Sequence, residues 1–359
     1  MRKDIAEFAT RFNDIPYERK SLMRILWGFK DLDYYTKGLE IGLNSIEADT
    51  NTGKSVLTSS VLKSACKQGY QCCVYASEHT NESYKALIMQ QNGKKGEFIT
   101  IPFVDTNGHE TNIADFYVNE SVEQAITNGI GKNITLFNSH KQQRDLNTIL
   151  DWIEYCGKEL NCKFCLIDNF MEVYIKDQDL FRGQEDAITL LRNKLLELNM
   201  VGLLVTHINK ESASNGFRLT VKSARGTSTL GDKSYNLIAL YRKDYIVVLK
   251  GQEKILDKFR QDCAKCGFDY DACDGFIEVL KTKGNGSGIV GLIFDKETKT
   301  YEQAPKISKT DADKIYKRYE QKEYTQASLD WDKQSSNLDL QPVDDDEIKN
   351  IFGDDDLPF

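Results

Sequence analysis

No stretch of this 359-residue chain is apolar for long enough to cross a bilayer. The opening Met1-Arg2-Lys3-Asp4 starts no hydrophobic signal segment. Both absences lead us to expect a soluble cytoplasmic protein with no membrane partner. Positive charge is not in excess: 47 Lys and Arg stand against 55 Asp and Glu, a net charge of −8. That argues against a surface that coats nucleic acid broadly. A narrow basic channel is still allowed, because acid is concentrated in Asp344-Asp345-Asp346-Glu347 and Asp354-Asp355-Asp356. A disulfide framework is missing too. The nine cysteines are odd in number and sit in apolar runs such as Cys72-Cys73-Val74 and Cys162-Lys163-Phe164-Cys165, as reduced core thiols do. There is no internal repeat. What the chain does have is 40% hydrophobic residues, ample for a real core.

The most informative segment is Ala48-Asp49-Thr50-Asn51-Thr52-Gly53-Lys54-Ser55. It is a phosphate-binding loop, G-x-x-x-x-G-K-[ST], with Ala48 in place of the first glycine. Backbone N–H groups from Thr50 to Gly53 can wrap a β-phosphate. Lys54 can reach the β and γ oxygens, and the Ser55 hydroxyl can ligate Mg²⁺. A chance Gly-Lys-Ser in a loop is the bland alternative. The flanks argue against it: an apolar strand leads in, and a helix follows whose N-terminus points its dipole at the phosphates.

Residues 1 to about 25 read as an amphipathic helix with Ile5, Phe8 and Phe12 on one face. Phe29–Leu39 is a lead-in. Strands are expected at Ile41–Glu47, Gln71–Ala76, Ile134–Asn138, Phe164–Asp168, Gly202–Thr206, Asn236–Leu240, Ile277–Lys281 and Gly288–Phe294. Helices are expected at Lys54–Lys67, Glu82–Gln91, Ile113–Asn128, Asp145–Glu159 and Gln184–Leu198. This alternation implies an α/β fold: a mostly parallel twisted sheet flanked by helices. Beyond about Ala304 the chain turns polar, with one short helix near Asp311–Glu323 and then disorder.

Several strand ends carry chemistry. Glu78 follows the second strand, where a carboxylate beside the phosphate loop can polarise water. Phe164-Cys165-Leu166-Ile167-Asp168 is a Walker B arrangement, with Asp168 placed for Mg²⁺. Gly202-Leu203-Leu204-Val205-Thr206-His207 ends in a histidine that can feel a γ-phosphate. His79, His109 and His140 are read as structural. Val221–Leu230, with Lys222, Arg225, Gly226 and Thr227, is a small basic loop suited to a phosphate backbone. Lys281 and Lys283 alternate on a hairpin and can face a neighbouring subunit's triphosphate. Cys263-x-x-Cys266 with Cys273 lacks a fourth ligand nearby and is read as structural.

Taken in this order, the pieces resemble the RecA-like motor of DnaB-type replicative ring helicases. The likeness is nearest to the helicase half of phage helicase–primases and to Twinkle. It runs from Trp27-Gly28-Phe29-Lys30-Asp31-Leu32-Asp33 to about Glu302. The resemblance implies ATP or another NTP or dNTP as substrate and Mg²⁺ as cofactor. It makes Glu78 the activator of the attacking water, Asp168 the Walker B Asp and His207 the γ-phosphate sensor. It makes Arg225-Gly226-Thr227-Ser228 a DNA-binding loop and Arg242 the residue that stacks on the base. Lys281 and Lys283 match a K-x-R pair reaching the next subunit, with lysine where the family has its arginine finger. No primase domain precedes the motor, so a separate primase is expected.

The end, Asp354-Asp355-Asp356-Leu357-Pro358-Phe359, resembles the acidic tip of single-stranded-DNA-binding proteins. It reads as a docking peptide for a polymerase, primase or other replisome protein. The expected organisation is an N-terminal linker helix over 1–25, a motor over 26–302 and a tail over 303–359. The expected activity is 5′→3′ translocation on single-stranded DNA by a hexameric ring. The rivals are a RecA-type recombinase, which would form filaments, and a non-motor ATP-binding adaptor.

Overall fold

The structure is a computed structural model. It describes residues 23–94, 98–104, 108, 110–137, 145–169, 180–208, 217–223, 229–246 and 253–320. The strands are β1 (Arg24–Ile25), β2 (Leu39–Glu40), β3 (Gly42–Ala48), β4 (Gln71–Ala76), β5 (Phe98–Val104), β6 (Glu110–Val118) and β7 (Ile134–Leu136). They continue with β8 (Cys162–Asp168), β9 (Val201–His207), β10 (Leu237–Arg242), β11 (Gly275–Lys281), β12 (Ile289–Asp295) and β13 (Thr300–Gln303). The helices are α1 (Lys30–Thr36), α2 (Lys54–Lys67), α3 (Asn81–Asn92), α4 (Glu120–Asn128), α5 (Leu146–Lys158), α6 (Leu180–Glu197), α7 (Thr229–Lys233), α8 (Glu253–Lys265) and α9 over 309–320.

A nine-stranded sheet runs β13-β12-β11-β10-β3-β9-β8-β4-β7. From β10 to β7 every pairing is parallel. The remaining strands join by antiparallel pairing at one edge. The sheet is therefore mixed, mostly parallel and covered by helices on both faces, the RecA-like α/β architecture. β8 and β9 are near-continuous apolar runs because both of their faces are covered, and β3 is buried along its whole length although it carries Asn44, Ser45 and Glu47. Ile46, Leu166 and Val205 pack with Leu57 and Val61 of α2, Tyr84 of α3 and Phe259 of α8. Leu43, Ile167 and Leu204 pack on the other face with Ile153 of α5, Leu195 of α6 and Leu230 of α7.

Lys54–Lys67 is a helix and Gln71–Ala76 a strand with the bounds expected. The other expected strands shift by a few residues at their ends. The helix expected over Ile113–Asn128 is a correction. Glu110–Val118 is a strand that pairs with β5, and only Glu120–Asn128 is helical. Ile113, Phe116, Tyr117 and Val118 are β-branched or aromatic and favour the pleat. Asn119 accepts a hydrogen bond from the Val122 amide at 3.0 Å, so the helix begins there.

The lead-in at 29–39 contains a helix, α1, closed by Lys37 in the left-handed region (φ 59°). Arg24–Ile25 is a strand, so the N-terminal helix reading applies to residues 1–22, outside the described residues. Helical structure and packing also run past 302. Tyr319 is buried, and the Arg260 guanidinium stacks on its ring at 5.2 Å.

Candidate nucleotide site

The parallel strands bring Ala48, Ala76, Asp168, His207 and Arg242 to their shared carboxyl edge, where open α/β sheets bind ligands. The expected phosphate loop, residues 49–53, connects β3 to α2 at this edge. Helices α3, α4 and α5 have side-chain caps, from Thr80, Asn119 and Asp145. Helix α2 has none; its N-cap is Gly53, and its first N–H groups stay available for an anion. Gly53 is required twice. It holds φ 88°, and a Cβ there would lie 2.6 Å from the Tyr301 hydroxyl. That hydroxyl donates to the Thr52 carbonyl at 3.0 Å and fixes the loop from β13. Asn51 also sits in the left-handed region (φ 61°). Thr50 is exposed.

Lys54 is buried, and its ammonium donates to the Asp49 carbonyl at 2.7 Å. It also lies 3.2 Å from His207 Nδ1. His207 Nε2 is 3.1 Å from Glu78 Oε1. Nδ1 thus faces the Lys54 ammonium, and Nε2 faces the Glu78 carboxylate. Asn169, next after Asp168, donates to Glu78 Oε1 at 2.5 Å and lies 2.9 Å from His207 Nε2. Lys54, His207, Asn169 and Glu78 thus form one connected chain.

The charges follow from this geometry. Burial pushes the Lys54 pKa down, against the pull of Asp168, Glu78 and Asp49. Burial raises Glu78, but hydrogen bonds from His207 and Asn169 outweigh it and hold the carboxyl below its usual range. Asp168 is pushed up by complete burial, opposed by a hydrogen bond with Ser55. Its Oδ2 also accepts from Thr58 at 3.3 Å. A buried carboxylate beside a hydroxyl at a helix N-terminus is an oxygen donor set that suits Mg²⁺, and a cation would offset the burial cost of Asp168.

A cavity of about 210 Å³ opens beside the loop, lined among others by Thr52, Leu240, Arg242 and Tyr245. Arg242 packs over the rings of Tyr245 at 5.2 Å and Phe294 at 5.7 Å, so one wall is flat and aromatic.

Lys281 and Lys283 are not brought to this edge. β11 runs antiparallel to β10, with Lys281 opposite Leu237 at the start of β10 and Gly275 opposite Arg242. Lys281 donates to the Gly231 and Asp232 carbonyls, and the Lys283 ammonium lies 4.4 Å above the Tyr235 ring. Lys222 is exposed beyond Thr220, whereas Arg225, Gly226, Thr227 and the whole of 354–359 lie outside the described residues. Cys263 and Cys273 are buried core thiols, and Cys266 Sγ accepts from the Ile289 amide at 3.2 Å.

Sequence reasoning missed Asn169, Tyr245 and Tyr301. Asn169 was readable as the polar residue directly after the Walker B carboxylate. Nothing in the sequence signals that Tyr301 reaches Thr52.

No protein-family model matches the chain, and no curated protein matches it. Solved structures do. One of them, an ATPase domain, superimposes with TM-score 0.60 at 16% identity, over 82% of this chain and 96% of that one. A DnaB-like replicative helicase, described with its interactions with primase, superimposes with TM-score 0.61 at 16% identity. That match covers 82% of this chain and 65% of the other. Among the described residues, no helix is long and apolar enough to cross a membrane.

Proposed function

From a chain with the fold of DnaB-like helicase ATPase domains, we propose an NTP-driven DNA helicase that moves 5′→3′ on single-stranded DNA as a ring. The observation that carries the reading is the linked set Lys54, His207, Asn169 and Glu78 at one sheet edge, with Ser55 and Asp168 beside it. Residues Thr50 to Gly53 cradle the phosphates with backbone N–H groups. Lys54 leaves the Asp49 carbonyl to meet the β and γ oxygens. Glu78, kept ionised, orients and deprotonates the attacking water. His207 touches both Lys54 and Glu78, so loss of the γ-phosphate is felt at the end of β9 and relayed to the segment after it. Ser55 and Asp168 would hold Mg²⁺, which would supply charge neutralisation on the phosphates. Arg242 and Tyr245 form the base-stacking wall.

In the ring, Lys281 and Lys283 serve a neighbouring subunit's site, and Lys222, Arg225, Gly226 and Thr227 hold single-stranded DNA. Asp354, Asp355, Asp356, Leu357, Pro358 and Phe359 dock a polymerase, a separate primase or another replisome protein. Steady-state ATP hydrolysis and forked-duplex unwinding test the proposal. Lys54→Ala is expected to abolish hydrolysis; full activity in that variant would overturn the site. A wild type that hydrolyses ATP but never unwinds would overturn the helicase. Tight nucleotide binding with negligible turnover would favour the adaptor.

A further inference from the structure

Four of the nine cysteines converge in the core beneath α5 and α6, in a place the nucleotide site does not use. Cys73 lies on β4, Cys156 on α5, and Cys162 and Cys165 on β8. The sulfurs of Cys73, Cys156 and Cys162 all lie within 4.8 Å of one another. Each of the three is exposed by 1% or less. Cys165, fully buried, is within hydrogen-bonding reach of Cys73. Among the described residues, no other three His, Cys, Asp or Glu side chains bring ligand atoms this close. The Cys263, Cys266 and Cys273 group that the spacing suggested does not.

The geometry is near that of a thiolate metal site. Zinc–sulfur bonds of about 2.3 Å put tetrahedral ligand sulfurs about 3.8 Å apart, so shifts under about 1 Å would close the triad. The donors are all soft sulfur, with no oxygen or nitrogen, which selects zinc or copper(I) over magnesium or calcium. Three thiolates in a dry core need a compensating cation, and a dication leaves less residual charge than a monocation. The competing account is three neutral thiols packed as small apolar groups. Composition alone cannot separate the two; stoichiometric metal can.

We propose that Cys73, Cys156 and Cys162 form a structural zinc site as its three thiolate ligands. On binding, three S–H bonds break, three S–Zn bonds form and three protons leave to solvent; nothing is oxidised or reduced. The ion would tie α5 to β4 and β8 near the amino ends of the strands that lead to Glu78 and Asp168. Its role is to hold these elements in register, remote from the chemistry.

The full chain, purified after expression with added zinc and dialysed against a mild chelator, should retain one equivalent. Cobalt(II) exchanged into it should show thiolate-to-cobalt charge-transfer bands. Zinc added to the apo chain should release about three protons per metal. Cys156→Ala and Cys162→Ala should lose the metal and the bands, while Cys266→Ala keeps both. If those variants fail to fold, the wild-type stoichiometry and cobalt spectrum decide alone. Absence of metal and bands in the wild type, or zinc retained by Cys162→Ala, would overturn the site. A chain that holds copper(I) but no zinc or cobalt would overturn the zinc assignment.

Discussion

Glu78 and His207 share a hydrogen bond of 3.1 Å, and each has a second partner in the same network. The carboxylate is therefore ionised and aimed before any substrate arrives. Glu78→Gln keeps the shape but cannot take a proton. Turnover should fall by roughly 100-fold or more while nucleotide affinity is unchanged, as read by steady-state hydrolysis against a nucleotide titration. Tyr301→Phe removes a single bond, from the hydroxyl to the Thr52 carbonyl. A loss of about 1 kcal/mol, or about five-fold in nucleotide affinity, is expected with little change in melting temperature.

Glu47 carries a different kind of information. It lies on β3 on the same side as Ser45, which bonds Ser234 at 2.8 Å. It is fully buried, neither carboxylate oxygen has a hydrogen-bond partner, and burial raises its pKa to about 8. A raised folded pKa means that protonation stabilises the fold fully below pH 4.5, and that this contribution is lost as pH rises towards 8. The loss amounts to at most about 1.4 kcal/mol per pH unit across that window. Glu47→Gln should therefore melt above wild type at pH 8 and lose the advantage near pH 4.5. Equal pH profiles for the two proteins would refute a neutral Glu47.

At the level of elements, the loop between β3 and α2 depends on backbone shape as much as on Lys54. Gly53 combines φ 88° with a Tyr301 hydroxyl where its Cβ would go. Gly53→Ala should abolish nucleotide binding while circular dichroism stays helical, because the clash is confined to the loop and β13. The strands and helices around it were legible because their apolar runs and caps agree with their final state. The segment 98–118 was not. Its apolar residues fit helix or strand over a short window, and the hairpin partner that decides lies several residues away. Helix α8 was not legible for a related reason: its sequence is strongly charged, and only Phe259, Cys263 and a few neighbours form its buried stripe.

For the whole molecule, the proposed ring and tail give one separable test. Removing Phe359 should weaken binding to a polymerase or primase and leave hydrolysis intact, since the residues proposed for the nucleotide site all lie within 48–301. Surface plasmon resonance beside an ATPase assay reads both; unchanged binding would remove the docking role. The sequence by itself determined most of the alternation of strands and helices, the loop at 49–53 between β3 and α2, and the places of Glu78, Asp168 and His207 at or just past strand ends. These follow from local periodicity and from residue types whose chemistry is legible one at a time. Only the tertiary structure decided that β10 and β11 run antiparallel, which sends Lys281 and Lys283 to the far edge of the sheet. It alone joined Tyr301 to Thr52, Asn169 to Glu78 and His207, and Cys156 to Cys73 and Cys162. Apart from Cys156 and Cys162, which are close in sequence, those contacts span long stretches of chain, and no local pattern encodes a partner that only strand order brings near.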